Sequence, residues 1–240
     1  MVPKLASVSV PLPSMRCVTP DRFYGLDIET DTTVDGLDPN VASVVAVAIV
    51  TASERFVIMG PERELLESTD AILAGLPPGV LVTWNGARFD LPFLALRAQR
   101  LGVRLGLDLW PPITSHDPLD RLLGGAGNGA DGCDRRFSVR GRWGAHRHLD
   151  AFAVYRADVG NTLGLSCGLK ALARFLRYDP IEVDRTRIED LSADELEAYV
   201  ASDAELARQL ALRRYPAILA AIDEPDFSAE NPSIPVVAPR

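Results

Sequence analysis

The spacing of apolar and polar side chains divides the chain into short strands and helices. Runs rich in β-branched and aromatic residues, bounded by turn-forming residues, predict five strands: residues 22–28, 41–50, 54–59, 80–83 and a segment that carries His148 and Leu149. Apolar positions at helical spacing, with start and stop signals, predict five helices: residues 62–74, 91–101, 151–157, 166–177 and 193–214. This order of elements predicts an α/β fold in which helices flank a mixed five-stranded sheet.

One domain with two tails is expected from the length and the ends of the chain. Its 240 residues are 47% hydrophobic, which is enough for one substantial core. Residues 1–20 and 224–240 are rich in Pro and Ser and lack periodicity, so we expect disordered tails around a domain over residues 21–223.

Composition narrows the possible functions. The longest apolar run, residues 41–50, is about half of the roughly 20 residues that a membrane-spanning helix needs, and the N-terminus does not resemble a secretory signal. We therefore expect a cytoplasmic protein without membrane contact. The formal net charge of −8 argues against a protein that grips long duplexes by neutralising phosphates, so any contact with nucleic acid should be local or assisted by metal ions.

The first candidate site lies near the end of the first predicted strand. The two-residue period of a strand puts Asp27 and Glu29 on one face, and the apolar Leu26 and Ile28 on the other. Two acids therefore project together. By itself this spacing is a weak signal, because two solvated carboxylates on an edge strand would give the same pattern.

The second candidate, Asp90, lies where a buried strand turns into a helix. A helix N-cap explains an Asp at this position, since Pro92 suits the first turn that follows. Capping does not explain why Trp84, Asn85 and Phe89 crowd the same turn, where small polar residues would suffice.

The third candidate lies on the last helix. Ser192 and Glu195 form a predicted capping box, which fixes the phase of this helix. Asp203 then falls in the middle of the apolar stripe, with Tyr199 four residues before it on the same face. A buried carboxylate needs a cation or hydrogen bonds. Pairing of Tyr199 and Asp203 with each other or with a distant arginine is the structural alternative to a functional role.

Taken together, the three segments resemble the DnaQ-like 3′→5′ exonucleases of the subgroup whose third motif is Tyr-x-x-x-Asp. Asp27-Ile28-Glu29 is similar to the first motif, Asn85 through Phe89-Asp90 to the second, and Tyr199-Val200-Ala201-Ser202-Asp203 to the third. Two further segments, Gly141-Arg142 leading to His148-Leu149-Asp150 and the helix around Lys170, resemble the proofreading domains of family B DNA polymerases. Because the chain has no room for a polymerase, we expect it to act alone or as a subunit with a protein partner.

The resemblance implies a ribonuclease-H-like fold and a two-metal mechanism. Asp27, Glu29, Asp90 and Asp203 would hold two divalent cations, Mg²⁺ or Mn²⁺, and Tyr199 would orient the attacking water. Electrostatics supports the cations independently, because four convergent carboxylates could not all ionise near neutrality without them. The implied substrate is the 3′ end of a single-stranded nucleic acid, with DNA favoured over RNA.

Further contacts with nucleic acid are predicted beside the acids and in an arginine-rich segment. Residues 135–148 contain five arginines and no acid, with Phe137 and Trp143 among them, a composition typical of a single-strand groove. A surface loop whose arginines pair with nearby acids is the alternative. The residues predicted to contact nucleic acid are Thr30, Trp84, Asn85, Phe89, Arg140, Arg142 and Trp143.

Three other functions remain open at this point. An exoribonuclease or oligonucleotide-degrading nuclease would use the same phosphate chemistry. A catalytically silent domain could bind strand ends or a protein partner. An α/β domain with coincidental acids would leave Asp203 buried and unpaired, which is costly.

Overall fold

Seven strands form one mixed sheet. The computed structural model describes residues 18–110, 140–160, 164, 166–216 and 218. Its strands are β1 (Phe23–Thr30), β2 (Val44–Val50), β3 (Arg55–Met59), β4 (Val80–Thr83), β5 (Leu107–Trp110), β6 (Arg140–Trp143) and β7 (His146–Asp150). Their order across the sheet is β3-β2-β1-β4-β7-β6-β5. Strand β4 runs parallel to β1 and β7, and the other neighbours pair antiparallel.

The predicted α/β class is confirmed, but the prediction of five strands is wrong. The two additional strands, β5 and β6, have four residues each, too few to show a period. Strand β6 reads Arg-Gly-Arg-Trp, and Gly is depleted in strands, so only pairing with β5 and β7 makes this segment a strand.

Five α-helices flank the sheet in the described part of the chain: α1 (Glu62–Gly75), α2 (Asp90–Leu101), α3 (Ala151–Tyr155), α4 (Leu169–Phe175) and α5 (Ala193–Arg213). A π-helical turn, Arg156–Gly160, follows α3, and short 3₁₀ turns cover Pro20–Arg22 and Ile188–Asp190. Every predicted helix is present, with ends that differ by a few residues. None of the helices described is long and apolar enough to cross a membrane.

The alternation of β1 directs its side chains into two cores. Tyr24, Leu26 and Ile28 pack with buried leucines of α1 and α2 on one face of the sheet. On the other face α5 lies against β1, and Ala201 and Ala204 pack on the small residues of β2. The face of β1 that carries Asp27 and Glu29 is therefore covered by α5.

Gly25 allows α5 to approach β1 closely. A Cβ atom at this position would lie 2.1 Å from the carbonyl oxygen of Ala204, so only glycine fits. The helix is also tied to β1 by Arg208, whose Nε donates a hydrogen bond of 2.9 Å to the carbonyl oxygen of Phe23. This contact fixes the height of α5 along β1.

The predicted tails lie mostly outside the described residues. Val18, within the segment predicted as an N-terminal tail, is 2% exposed and packs in the core beside Phe23. Its carbonyl oxygen accepts a hydrogen bond of 2.6 Å from the Tyr215 hydroxyl. Val18 therefore packs with the folded part of the chain, although it was predicted to belong to the tail.

Candidate active site

Strand β1 brings two acids to the face beneath α5. Asp27 and Glu29 are half-buried there, one pleat apart, and both precede Thr30 at the end of the strand. Strand β2 pairs with β1 along this stretch, with Asp27 opposite Ala48 and Glu29 opposite Ala46. The alanines are small, which leaves room for the carboxyl groups and for the helix above them.

The turn from β4 into α2 positions Asp90, which is 4% exposed. Asp90 is the first residue of the helix, preceded by Phe89 at the N-cap, and none of the described side chains caps this helix end. The N-cap explanation for Asp90 is therefore wrong. Asp150 holds the turn, because its carboxylate accepts hydrogen bonds from the backbone N–H groups of Asn85 (2.9 Å) and Ala87 (3.2 Å).

Helix α5 carries Tyr199 and Asp203 on its buried face. The predicted capping box is confirmed: the Ser192 hydroxyl accepts from the Glu195 N–H, and the Glu195 carboxylate accepts from the Ser192 N–H. Tyr199 is 1% and Asp203 3% exposed. The helical phase predicted from the capping box, which places Tyr199 and Asp203 on the buried face of α5, is thus confirmed.

The electrostatics of the four carboxyl groups shows that they lie near one another; we call Asp27, Glu29, Asp90 and Asp203 the acid cluster. Burial raises the pKa of Asp27 well above its usual value, and the negative charges of Asp90, Glu29 and Asp203 raise it further. Burial raises the pKa of Glu29 to about 8, with the charge of Asp203 adding to the shift. Burial also raises the pKa of Asp90 to about 7.

Two cationic residues that the sequence analysis gave no role reach the acid cluster. Lys170 of α4 binds the Oδ1 atom of Asp203 through its ammonium group, which also lies 4.5 Å from the centroid of the Tyr199 ring. Arg185 donates from Nε to the Tyr199 hydroxyl oxygen at 2.9 Å, and its Nη2 lies 3.5 Å from Oδ2 of Asp203. Burial raises the pKa of Asp203, and both cations oppose this shift.

These contacts agree in part with the structural alternative to a functional role, in which a distant arginine pairs with Tyr199 and Asp203. They also remove the argument that a coincidental acid at position 203 would be unpaired. Among the described residues, no group of three or more acidic, His or Cys side chains is arranged so as to hold a metal ion. The donor set itself consists of carboxylate oxygens, which suit Mg²⁺ or Mn²⁺ better than zinc.

Comparison with known proteins relates this chain to the exonuclease domains of DNA polymerases. Residues 17–117 match the model of the DNA polymerase family B exonuclease domain. The chain is similar to the exonuclease domain of family B DNA polymerases. That similarity confirms the resemblance to family B exonuclease domains, and the matched residues include the segments that carry Asp27, Glu29 and Asp90, whereas the third motif lies beyond them.

Individual DNA polymerases are also similar to this chain, over segments of different length. The chain is 32% identical over 147 residues to a catalytic subunit of DNA polymerase epsilon from Arabidopsis thaliana, which is 60% of this chain and 6% of that protein. It is 42% identical over 50 residues to a DNA polymerase of Thermococcus litoralis, which is 21% of this chain and 3% of that protein. The chain thus spans only a small part of these relatives.

A solved structure shares the fold. The family B DNA polymerase of the archaeon Pyrobaculum calidifontis superposes with a TM-score of 0.63 at 18% sequence identity, over 84% of this chain and 25% of that one. Because the superposition covers 84% of this chain, the likeness extends past residue 117, where the family match ends. It agrees with the expected fold class.

The turn residues predicted to contact nucleic acid are mostly fixed by contacts within the exonuclease-like domain. Thr30 is buried and donates from its hydroxyl to the carbonyl oxygen of Gly36 at 2.7 Å. Asn85 has a left-handed backbone, with φ of 67°. The rings of Trp84 and Phe89 are half-buried, Trp84 against Tyr155 and Phe89 against Phe93.

The arginine-rich segment differs from its prediction. Trp143 is 1% exposed, packs in the core and donates from its indole nitrogen to Asp70 at 2.6 Å, so the prediction that it stacks on a base is wrong. Its neighbour Arg142 makes an ion pair of 2.8 Å with Asp108, the residue directly opposite on β5. The side chain of Arg140 and the stretch 135–139 lie outside the described residues.

Proposed function

We propose that this chain is a metal-dependent 3′→5′ exonuclease of the DnaQ-like group, which hydrolyses phosphodiester bonds at the 3′ end of single-stranded DNA. The observation that carries the proposal is the acid cluster. Three separate elements contribute its carboxyl groups: the charges of Asp90 on α2 and Asp203 on α5 raise the pKa values of both acids on β1, in a domain similar to polymerase exonuclease domains. A domain that only binds a partner has no need for such costly charge.

The donor set fits two divalent cations, Mg²⁺ or Mn²⁺, held by Asp27, Glu29, Asp90 and Asp203. Four ionised carboxylates carry the charge that two such ions balance. Burial raises the pKa of Glu29 to about 8 and that of Asp90 to about 7, and it also raises the pKa values of Asp27 and Asp203, so cations would help to keep the four groups ionised. When bound, the ions would activate a water molecule and stabilise charge at the scissile phosphate. Cation binding would compete with Lys170 for Asp203.

Tyr199 would orient the attacking water. Its ring is held by burial on α5, and burial raises the pKa of its hydroxyl above the usual value, so that the hydroxyl stays protonated at neutral pH. A neutral hydroxyl can both donate and accept a hydrogen bond. We therefore assign it a role in orientation and not in removing a proton.

DNA is the favoured substrate because the relatives on which the proposal rests are DNA polymerases. The chemistry at the phosphate does not depend on the sugar, so RNA is the substrate of the nearest alternative. Half-buried aromatic rings at the β4–α2 turn, those of Trp84 and Phe89, are suited to contact the terminal bases.

The test is hydrolysis of a single-stranded oligonucleotide labelled at its 5′ end, supplied as DNA and as RNA of the same sequence. With Mg²⁺ or Mn²⁺ we expect a ladder that shortens from the 3′ end on DNA, faster than on RNA, and no product in EDTA. A DNA with a phosphorothioate at its last linkage is the matched control and should resist.

Each departure from this pattern has a distinct meaning. Faster degradation of RNA would replace the proposal with an exoribonuclease. Binding of the oligonucleotide without hydrolysis under any divalent cation would indicate a silent domain. Cleavage within a 3′-blocked strand would contradict the exonuclease assignment.

A further inference from the structure

Arg185 reaches into the site from a loop that contributes none of the acids. Its side chain is 62% exposed, but its guanidinium contacts two nearly buried groups, the hydroxyl of Tyr199 at 2.9 Å and the carboxylate of Asp203 at 3.5 Å. The shorter of the two contacts is the one to Tyr199. An exposed arginine side chain can adopt many conformations. A lasting contact with a buried tyrosine therefore requires that the loop which carries the arginine be held in place.

That support is built into the loop. The Asp184 carboxylate accepts hydrogen bonds from the backbone N–H of Thr186 at 3.0 Å and from its hydroxyl at 2.7 Å, which forms a tight turn around Arg185. Two residues later Ile188 is buried, and its N–H donates to the Thr32 hydroxyl at 3.0 Å. Thr32 follows β1, so the loop is tied to the strand that carries Asp27 and Glu29.

The contact restricts how the Tyr199 hydroxyl can be used. An arginine N–H only donates, so Arg185 occupies a lone pair of the phenolic oxygen. The hydroxyl also hydrogen-bonds to the Asp203 carboxylate, which opposes the rise in the pKa of Asp203 that burial causes, so the second lone pair is left for another partner. Lys170 lies over the ring at 4.5 Å and holds it from a second side. With one lone pair and the hydrogen taken, the direction of the remaining lone pair is defined.

We infer that Arg185 is a positioning residue that fixes the Tyr199 hydroxyl for the hydrolytic step. This inference rests on the proposed function, and it adds a residue that acts through Tyr199 without touching the reacting atoms. Two other roles for the same arginine make different predictions. A residue that only neutralises Asp203 could be replaced by lysine, and a residue that binds substrate phosphate would change KM.

A double-mutant cycle with Arg185→Gln and Tyr199→Phe separates these roles, measured as single-turnover rate and KM on single-stranded DNA. We expect Arg185→Gln to slow the rate about tenfold with little change in KM, and to have no further effect once Tyr199 is Phe. Arg185→Lys should not restore the rate, because lysine lacks the planar guanidinium. Arg187→Gln, an equally exposed arginine two residues later, should leave the rate unchanged.

Independent, multiplicative effects of Arg185→Gln and Tyr199→Phe would overturn the inference. A raised KM at an unchanged rate would reassign Arg185 to substrate binding, and full rescue by lysine would reduce it to charge neutralisation. If the wild-type protein releases no nucleotides, the proposed function fails and the positioning role fails with it. An active wild-type protein with multiplicative effects would remove only the role of Arg185.

A second measurement does not depend on activity. In the metal-free protein labelled with ¹³C at tyrosine Cζ, the Tyr199 resonance is the one of five that Tyr199→Phe removes. Its chemical shift should move in Arg185→Gln and stay in place in Arg187→Gln, since loss of a hydrogen bond to the hydroxyl changes the ring carbon that bears it. An unmoved resonance would mean that the contact is not held in solution, and the inference would be withdrawn.

Discussion

The acid cluster and the outer strands β5 and β6 both contain several charged side chains. In the outer strands opposite charges pair, whereas in the acid cluster like charges lie close together. In the outer strands Arg142 lies directly opposite Asp108, pairs with it at 2.8 Å and remains partly in contact with solvent. In the acid cluster carboxyl groups from three elements lie close enough for Asp90 and Asp203 to raise the pKa values of the two acids on β1. The cations Lys170 and Arg185 act to lower the pKa of Asp203.

This difference distinguishes charged residues that pair at the surface from charged residues that are kept for a function. A cross-strand ion pair at the surface contributes little and costs little. Buried like charges cost stability, and a fold keeps them only where another requirement outweighs the cost. Four measurements can test whether the acid cluster and the outer strands differ in this way.

The largest effect is expected from Asp27→Asn. Loss of this carboxylate should slow hydrolysis by about 10³-fold, since it removes charge at the centre of the site. The metal-free variant should be at least as stable as the wild type, because one of several mutually repelling groups is gone. Turnover on single-stranded DNA and thermal unfolding in EDTA measure the two effects.

Glu197→Gln, an exposed acid on α5, is the matched control and should change neither quantity. Near-normal turnover in Asp27→Asn would remove the acid cluster from the mechanism. Asp203→Asn should be equally inactive but less stable than Asp27→Asn, because it removes the partner of Lys170.

Tyr199→Phe is expected to have the next largest effect. The ring still fills its place on α5, but the hydroxyl is gone, so turnover should fall by about 10²-fold with little change in KM. Tyr215→Phe also loses a hydroxyl with a hydrogen bond, to Val18 at the other end of the domain. That control should be destabilised by about 1 kcal/mol and should keep full turnover. Equal turnover in the two variants would contradict the role of Tyr199.

The third prediction concerns pH and the metal-free protein. Burial raises the pKa of Asp90 from 3.8 to about 7 and that of Glu29 from 4.5 to about 8, so between pH 4 and pH 8 the folded state binds more protons than the unfolded state. The free energy of unfolding should therefore fall as the pH rises, by at most about 1.4 kcal/mol per pH unit for each group.

Urea unfolding in EDTA at several pH values tests this against Asp90→Asn, whose slope should be shallower. His146 and His148, whose pKa values burial lowers, affect both proteins alike and cancel in the difference. Arg142→Ala removes no carboxyl group and should keep the wild-type slope. Parallel slopes for wild type and Asp90→Asn would show that Asp90 is not held protonated.

The smallest effect is expected from Arg142→Ala. Because the partner of Arg142 is Asp108, its loss should change KM and turnover by less than about twofold and stability by less than about 1 kcal/mol. KM on single-stranded DNA as a function of salt concentration is the measurement. A clear rise in KM with a flatter salt dependence would return Arg142 to the predicted nucleic-acid groove.

Most of the fold and the acid motifs could be predicted from the sequence because their signals are local. The capping box at Ser192 fixes the phase of α5, and the two-residue period of β1 fixes the common face of Asp27 and Glu29. The prediction for Trp143 was wrong because the same sequence pattern, an aromatic residue among arginines, occurs in nucleic-acid grooves and in short strands whose alternate side chains are buried.

By itself, the sequence determined which elements form, which faces are apolar and which acids lie on strand and helix faces that can meet. Only the tertiary structure decided how near these acids come to one another. The close approach of α5 to β1 is possible because Gly25 has no Cβ atom, which would collide with the carbonyl oxygen of Ala204. It also decided the partners of these acids. Lys170 and Arg185 lie 33 and 18 residues before Asp203 in contacts that no local pattern encodes, because such contacts arise when separate elements pack on the same sheet.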